Sequence, residues 1–264
     1  MNLKTFVVPV AGRGKRLWPL TLTKPKSLVE VGGKSLFDYT IQEGIDAGYT
    51  RAIVVVGPDQ EKAFGRAVDL WKTRVPSCEF ELVVQDKPMG TGDALWRAAD
   101  LAKKEAVAMR YPDDLLVGEP SALKLLKETY EKEGKPTLLV QEVSWEKAAS
   151  CGVVESAKEI SPGVYSFSGI QEQIRNKAEG IEDRKPVSNL AVMGAYVFPP
   201  DVFDYLAKER KVIDGKDDCL PINIVFPPLM EKYGFLAVKF SGKRFDCGNL
   251  QGLKDAGDYI KSQN

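Results

Sequence analysis

Residues Phe6 to Lys26 read FVVPVAGRGKRLWPLTLTKPK, and this stretch decides how the rest of the chain is read. An apolar run, Phe6-Val7-Val8 with Val10, feeds into Gly12-Arg13-Gly14. A cationic loop with Lys15, Arg16, Lys24 and Lys26 follows. A buried strand that ends in glycines offers backbone N–H groups with no side chains in the way. With four cations close by, such a turn is a seat for a polyphosphate.

Outward from that stretch the chain alternates. A helix is expected over Ser35–Ile45, with Ser35 as N-cap and Phe37, Ile41 and Ile45 recurring at i+4. Ala52–Val56 reads as a buried strand, Gln60–Trp71 as a helix and Phe80–Gln85 as a strand. Strand–helix alternation predicts an α/β fold with a Rossmann-like, doubly wound sheet, whose ligands lie beyond the carboxyl ends of the strands. The loops after the strands therefore carry the candidate residues. After the third strand, Gln85 precedes Gly90-Thr91-Gly92-Asp93-Ala94, which opens a helix expected to reach about Lys103. A close glycine turn beside an amide suits the edge of a base, and a solvated Gln beside a plain turn is the alternative. The strand Ala106–Arg110 ends at Asp113-Asp114. That pair suits Mg²⁺, which takes one or two carboxylates plus phosphate oxygens, or else it caps the helix Ser121–Glu131.

The second part of the chain is richer in short strands: Thr137–Val143, Gly152–Val154, Val164–Phe167, Gly169–Glu172 and Leu190–Phe198. Arg175–Lys185 reads as an exposed loop and Asp214–Asp218 as a charged turn. A helix opens at Pro199-Pro200, and another over Ile222–Tyr233 should be kinked or broken by Pro227-Pro228. A single domain over residues 1–264 is expected, with a nucleotide-binding half over about 1–135 and a substrate half over about 136–264.

Composition narrows the chemistry. The 37 basic and 37 acidic residues cancel, which argues against a nucleic-acid or membrane-surface partner. No apolar run approaches the ~20 residues of a membrane span, and Met1-Asn2-Leu3-Lys4 carries no signal-peptide pattern. Four cysteines without a CxxC pair read as buried thiols, and a cytoplasmic location is expected. The absence of histidine is sharper still. It removes Ser/His/Asp and Cys/His sites, histidine metal sites and any nucleotidyl-histidine intermediate.

Neither a dinucleotide fingerprint nor a Walker A loop fits the opening stretch, since the third glycine and the GK[ST] ending are missing. The long spacing G-x-G-x-R-x-x-P-x-T-x-x-x-P-K is met by Gly12, Gly14, Arg16, Pro19, Thr21, Pro25 and Lys26. It resembles the signature of the sugar-1-phosphate nucleotidylyltransferases. Gln85 with the Gly90/Gly92 turn, Ser188–Phe198 and Gly242–Asn249 resemble the bacterial UTP–glucose-1-phosphate uridylyltransferases in particular. The resemblance runs nearly end to end.

It implies the nucleotide-diphospho-sugar transferase type of mixed sheet, and a Mg²⁺-dependent transfer between a nucleoside triphosphate and a sugar 1-phosphate. UTP and glucose 1-phosphate are the expected pair, with dTTP or another sugar as alternatives, or a weakly active or non-catalytic homologue. By the same resemblance Ala11, Gly12, Gly14, Arg16 and Lys26 hold the nucleotide's phosphate end, with Arg16 and Lys26 catalytic. Gln85 and Gly90 read the base, Asp113 and Asp246 hold the metal, and Gly152 and Glu172 contact the sugar. A homo-oligomer is compatible with it. Three departures stand out. Gln173 replaces the lysine that grips the sugar phosphate, with Arg175 or Lys177 as substitutes. Cys219–Ile224 lacks the two carboxylates usual there, and Lys15 stands where threonine is usual.

Overall fold

The structure is a computed structural model that describes residues 2–172, 185–213 and 219–263. Gln173, Arg175, Lys177 and the charged turn 214–218 lie outside the described residues. In chain order the first half holds β1 (Thr5–Pro9), the small ribbon β2 (Glu30–Val31) and β3 (Lys34–Ser35), and α1 (Leu36–Asp46). Next come β4 (Arg51–Val56), α2 (Glu61–Arg74), β5 (Glu79–Val84), α3 (Thr91–Arg97), β6 (Val107–Arg110), β7 (Asp114–Val117) and α4 (Ala122–Glu133). The second half holds β8 (Thr137–Glu142), α5 (Trp145–Ala148), β9 (Val153–Glu155), β10 (Lys158–Ser161), β11 (Val164–Ser166) and β12 (Gly169–Gln171). It ends with β13 (Leu190–Phe198), α6 (Val202–Ile213), α7 (Phe226–Tyr233), β14 (Leu236–Lys239), β15 (Lys243–Asp246) and α8 (Leu250–Ser262).

One mixed sheet runs through both halves in the order β10-β11-β14-β8-β13-β6-β1-β4-β5, with β9 and β12 attached at β13. β6, β1, β4 and β5 are parallel neighbours, and β13 runs antiparallel between β6 and β8. β1 shows why these residues make a central strand. Phe6 and Val8 face one side and Val7 the other, all at 0% exposure, so both faces must be covered. On one side Phe6 and Val8 share a core with Phe37 and Ile41 of α1, Phe64 of α2 and Leu126 of α4. On the other, Val7 packs with Leu95 of α3, Leu206 of α6 and Leu229 of α7. Each such side chain contributes about 1.5–3 kcal/mol on burial. This is the doubly wound mixed sheet expected from the sequence.

Local signals held where they rest on caps. Ser35 and Asp38 form a full capping box at the start of α1, and Ser121 caps α4. Two expectations change. The helix after Gly90 ends at Arg97, not near Lys103, and gives way to turns. Pro227 and Pro228 neither kink nor break a helix. A 3₁₀ turn over Ile222–Val225 precedes them and α7 begins at Phe226, so both prolines sit in its first turn. There the missing N–H groups would have no intrahelical partner.

The far end of the chain returns to the middle. β15 pairs antiparallel with β7, setting Asp246 opposite Asp114. The Cys247 N–H donates to the Asp113 carbonyl at 2.8 Å. α8 then packs over this ribbon through Ala256, beside Leu36 and Leu115.

Candidate active site

The site lies beyond the carboxyl ends of β1, β5 and β6. After β1 the chain turns at Gly14, whose φ of +61° is a left-handed conformation that glycine adopts without strain. The Thr21 hydroxyl donates to the Gly14 carbonyl at 2.8 Å and staples the cationic loop to the turn. A Cβ on Gly14 would stand 2.8 Å from the Lys26 Cβ, so the turn and the lysine are in direct contact.

Lys26 Nζ donates to Asp113 Oδ2 at 2.5 Å, joining residues 87 apart in sequence. Gly248 gathers the remaining charges. Its missing Cβ would lie 2.8 Å from Asp246 Oδ1, 3.1 Å from Arg16 Nη2 and 3.2 Å from Lys26 Nζ. Arg16, Lys26, Asp113 and Asp246 therefore form one cluster. Asp246 is held by the Gly248 N–H at 3.0 Å and by Asn249 Nδ2 at 3.1 Å.

The adjacent carboxylates Asp113 and Asp114 part company. Neither caps α4, which Ser121 does. Asp114 accepts from Arg244 at 2.8 Å and from the Gly194 N–H at 3.0 Å, and it is engaged in holding β7, β13 and β15 together. Burial would lower the Arg244 pKa, but the Asp114 carboxylate outweighs it and raises it. Asp113 is left to line a cavity of about 360 Å³ with Ala11, Gly12, Lys26, Gln85 and Gly90. A second cavity of about 540 Å³ is lined by Gly152, Glu172, Asn223 and Tyr196, and it shares Thr91 and Tyr111 with the first as a common wall. Burial pushes the Tyr111 hydroxyl well above its ordinary range. The Thr91 hydroxyl opposes that shift, and Asp113 and Asp114 reinforce it.

Among the described residues, every site residue expected from the sequence falls at one of these two cavities or in the charged cluster at Gly14 and Gly248. Gln85 is not a solvated side chain. It is 4% exposed, and its Nε2 donates to the Gly90 carbonyl and to Asp93 Oδ2, both at 2.9 Å. Gly90 itself has φ +99°. Three residues were passed over in the sequence. Asp93, in the first turn of α3 just past Gly90 and Gly92, is fully buried, and the glycines are the stronger local signal there. Arg210 on α6 gave no local signal. Asn223 donates to Glu172 Oε1 at 2.8 Å, from the segment noted only for the carboxylates it lacks.

A phosphate-type glycine turn, a two-carboxylate, two-cation cluster and adjoining cavities define a nucleotide-transferring enzyme on a doubly wound sheet. The nucleotidyl transferase family pattern matches residues 6–263, and the chain belongs to that family. Among curated relatives, the UTP–glucose-1-phosphate uridylyltransferase of Bacillus subtilis (strain 168) is 28% identical over 270 residues, spanning 96% of this chain and 89% of that one. That of Pseudomonas aeruginosa is 27% identical, spanning 97% and 95%. The crystal structure of a UDP-glucose pyrophosphorylase complexed with UDP-glucose has a TM-score of 0.83 at 26% identity, covering 99% of this chain and 100% of that one.

Proposed function

We propose that the protein joins UTP to glucose 1-phosphate, giving UDP-glucose and pyrophosphate. The observation that carries this reading is the shared wall at Thr91 and Tyr111. It sets a base-and-phosphate cavity against a second, polar cavity, with Lys26 and Asp113 in the first. The relatives that match nearly the whole chain support the choice of UTP and glucose 1-phosphate.

In this reading Gln85 and Gly90 face the uracil, and the N–H groups of the Ala11–Gly14 turn face the phosphates. Glu172, oriented by Asn223, and Gly152 face the hexose. A phosphate oxygen of the sugar phosphate attacks the α-phosphorus in line. The new P–O bond forms as the bond to pyrophosphate breaks, and pyrophosphate departs with the electron pair. The chain needs no nucleophile of its own and no histidine. Its work is positioning and charge neutralisation, and Arg16 and Lys26 supply the cations.

Asp113 and Asp246 suit a hard divalent cation. They are two carboxylates brought to one place from the middle and the far end of the chain, and the cationic side chains of Lys26 and Arg16 lie against them. Mg²⁺ held there would neutralise phosphate oxygens. Lys26 is shared in this arrangement. When a phosphate takes the lysine, Asp113 is released. Of the four cysteines expected to be buried, Cys78 and Cys247 are buried, Cys151 is half-buried and Cys219 is exposed. The two buried thiols fit a reducing compartment, and we place the enzyme in the cytoplasm.

The test is pyrophosphate release by purified protein with Mg²⁺, crossing UTP, dTTP, CTP and GTP against several sugar 1-phosphates. Release is expected to be fastest with UTP and glucose 1-phosphate, with UDP-glucose as product. UDP-glucose binding without release from any pair would overturn the enzymatic reading.

A further inference from the structure

We propose that Asp93 is the residue that fixes which face Gln85 shows to the base, and that it thereby sets the preference for uracil over cytosine. The inference rests on the reading that Gln85 lies against the base of the nucleotide.

A glutamine amide can present either its oxygen or its nitrogen, and a site that reads a base with it must hold one orientation. Here the surroundings decide. One neighbour of the Gln85 amide is the Gly90 carbonyl, which can only accept. The other is Asp93, at 0% exposure. Asp93 Oδ1 accepts from Arg210 Nε at 2.9 Å, and Oδ2 lies 3.7 Å from Arg97 Nε. Paired with two guanidinium groups, this carboxylate is an acceptor as well. Both N–H bonds of Gln85 are therefore spent inside the protein, one on each acceptor. The Oε1 receives no hydrogen bond from any described residue. A base meeting that oxygen must bring a donor. Uracil does so with N3–H, whereas cytosine brings a second acceptor at N3 and the two repel.

The brace is built from distant parts of the chain. Arg210, on α6, lies 117 residues from Asp93, and its guanidinium stacks on the Trp96 ring at 4.1 Å. The Leu220 carbonyl accepts from the Gly92 N–H at 2.8 Å, and the Leu220 N–H donates to the Met89 carbonyl at 2.6 Å. The turn that carries Asp93 is thus clamped from the second half of the molecule. Asp93 is a positioning residue that acts through Gln85.

The experiment measures equilibrium affinities for UTP and CTP, and kcat/KM for each with glucose 1-phosphate, in wild type and Asp93→Asn. The variant keeps the shape. Its oxygen can still accept from Arg210, which turns an NH₂ toward Gln85. The Gly90 carbonyl still favours the original orientation, so the Gln85 amide is no longer held one way and Nε2 faces the base in part of the population. The wild type is expected to favour UTP by about a hundredfold, and the variant's UTP:CTP ratio to fall at least tenfold, with CTP gaining in absolute affinity. A role confined to structure would weaken both nucleotides alike and leave the ratio unmoved, and that result overturns the proposal. Arg210→Gln, at the less buried end of the brace, should shift the ratio the same way by a smaller factor. If Asp93→Asn does not fold, an unmoved ratio in Arg210→Gln overturns the proposal instead. UTP failing to bind the wild type removes the base reading beneath it. UTP binding with an unmoved ratio removes only the role of Asp93.

Discussion

Gly248→Ala tests the charged cluster with the smallest perturbation it allows, a single methyl group. The backbone at Gly248 is not among the positive-φ glycines, so alanine meets no conformational penalty there. The cost is local. Ordinary contact begins near 3.4 Å, and the new Cβ would stand 2.8 Å from Asp246 Oδ1, with Arg16 Nη2 at 3.1 Å and Lys26 Nζ at 3.2 Å. The two cations end flexible side chains and can move a few tenths of an ångström. Asp246 has less freedom, because the Gly248 N–H and Asn249 Nδ2 both hold it. Its oxygen must retreat by about 0.6 Å, in a site where a 1 Å misplacement costs about a hundredfold in rate. The expected loss in kcat/KM is about 10- to 100-fold, or roughly 1.4–2.7 kcal/mol of transition-state stabilisation. Pyrophosphate release gives the rate. A thermal melt checks that folding is intact, as a glycine-to-alanine change at a compatible backbone is mildly stabilising. Activity within twofold of wild type would show that Arg16, Lys26 and Asp246 are not gathered around this point when the enzyme works. Loss of activity together with a collapsed melt would equally remove the steric argument.

Gly90→Ala should act through the fold. Its φ of +99° is strained for alanine, and the Cβ would meet Cys219 Sγ at 2.5 Å and the Leu220 carbonyl at 2.7 Å, so a urea melt should show a loss of about 2–4 kcal/mol. Asp113→Asn releases Lys26 from its ion pair. Metal-free UTP affinity, read by calorimetry, should therefore rise up to about fivefold, the scale of a partly buried pair worth about 1 kcal/mol, while the gain on adding Mg²⁺ shrinks. Burial pushes the Cys78 thiol to about 11 and the Cys247 thiol to about 12 from 9.0. The unfolded chain ionises first, so their contribution to stability is intact below pH 9 and is lost as pH rises toward 11–12. The urea midpoint should fall over that window, and Cys78→Ala with Cys247→Ala should flatten the fall.

Where the sequence was legible, the reason is local physics. β1 could be read because both faces of a central parallel strand are buried, which leaves an uninterrupted apolar run ending where the glycines begin. α1 could be read because its capping box lies within four residues. The site residues after β1, β5 and β6 could be placed because a parallel sheet puts such loops at one edge. The errors came where a local rule had two outcomes. Pro227-Pro228 forbids a helix interior but suits a helix start, and only the packing of Phe226 and Leu229 into the second core shows which applies. Asp113-Asp114 could be a metal pair or a capping pair. In the structure the two residues have different partners, since Arg244 and Gly194 occupy Asp114 while Lys26 lies against Asp113.

The residues that went unread share a different property: their roles are relations and not types. Asp93 means nothing without Gln85 on one side and Arg210 on the other, and those contacts cross 8 and 117 residues. Asn223 looked like a loss of charge in its own segment. It gains a role only from Glu172, 51 residues earlier. A ligand-facing motif stays close to one spacing because the phosphate or base has a fixed shape, so it can be recognised in a single chain. A brace needs only some donor opposite some acceptor, and many residues at many distances can supply it. Substitutions that change base or sugar preference without touching a motif are therefore expected among residues such as Asp93, Arg210 and Asn223, one contact behind the groups that face the ligand.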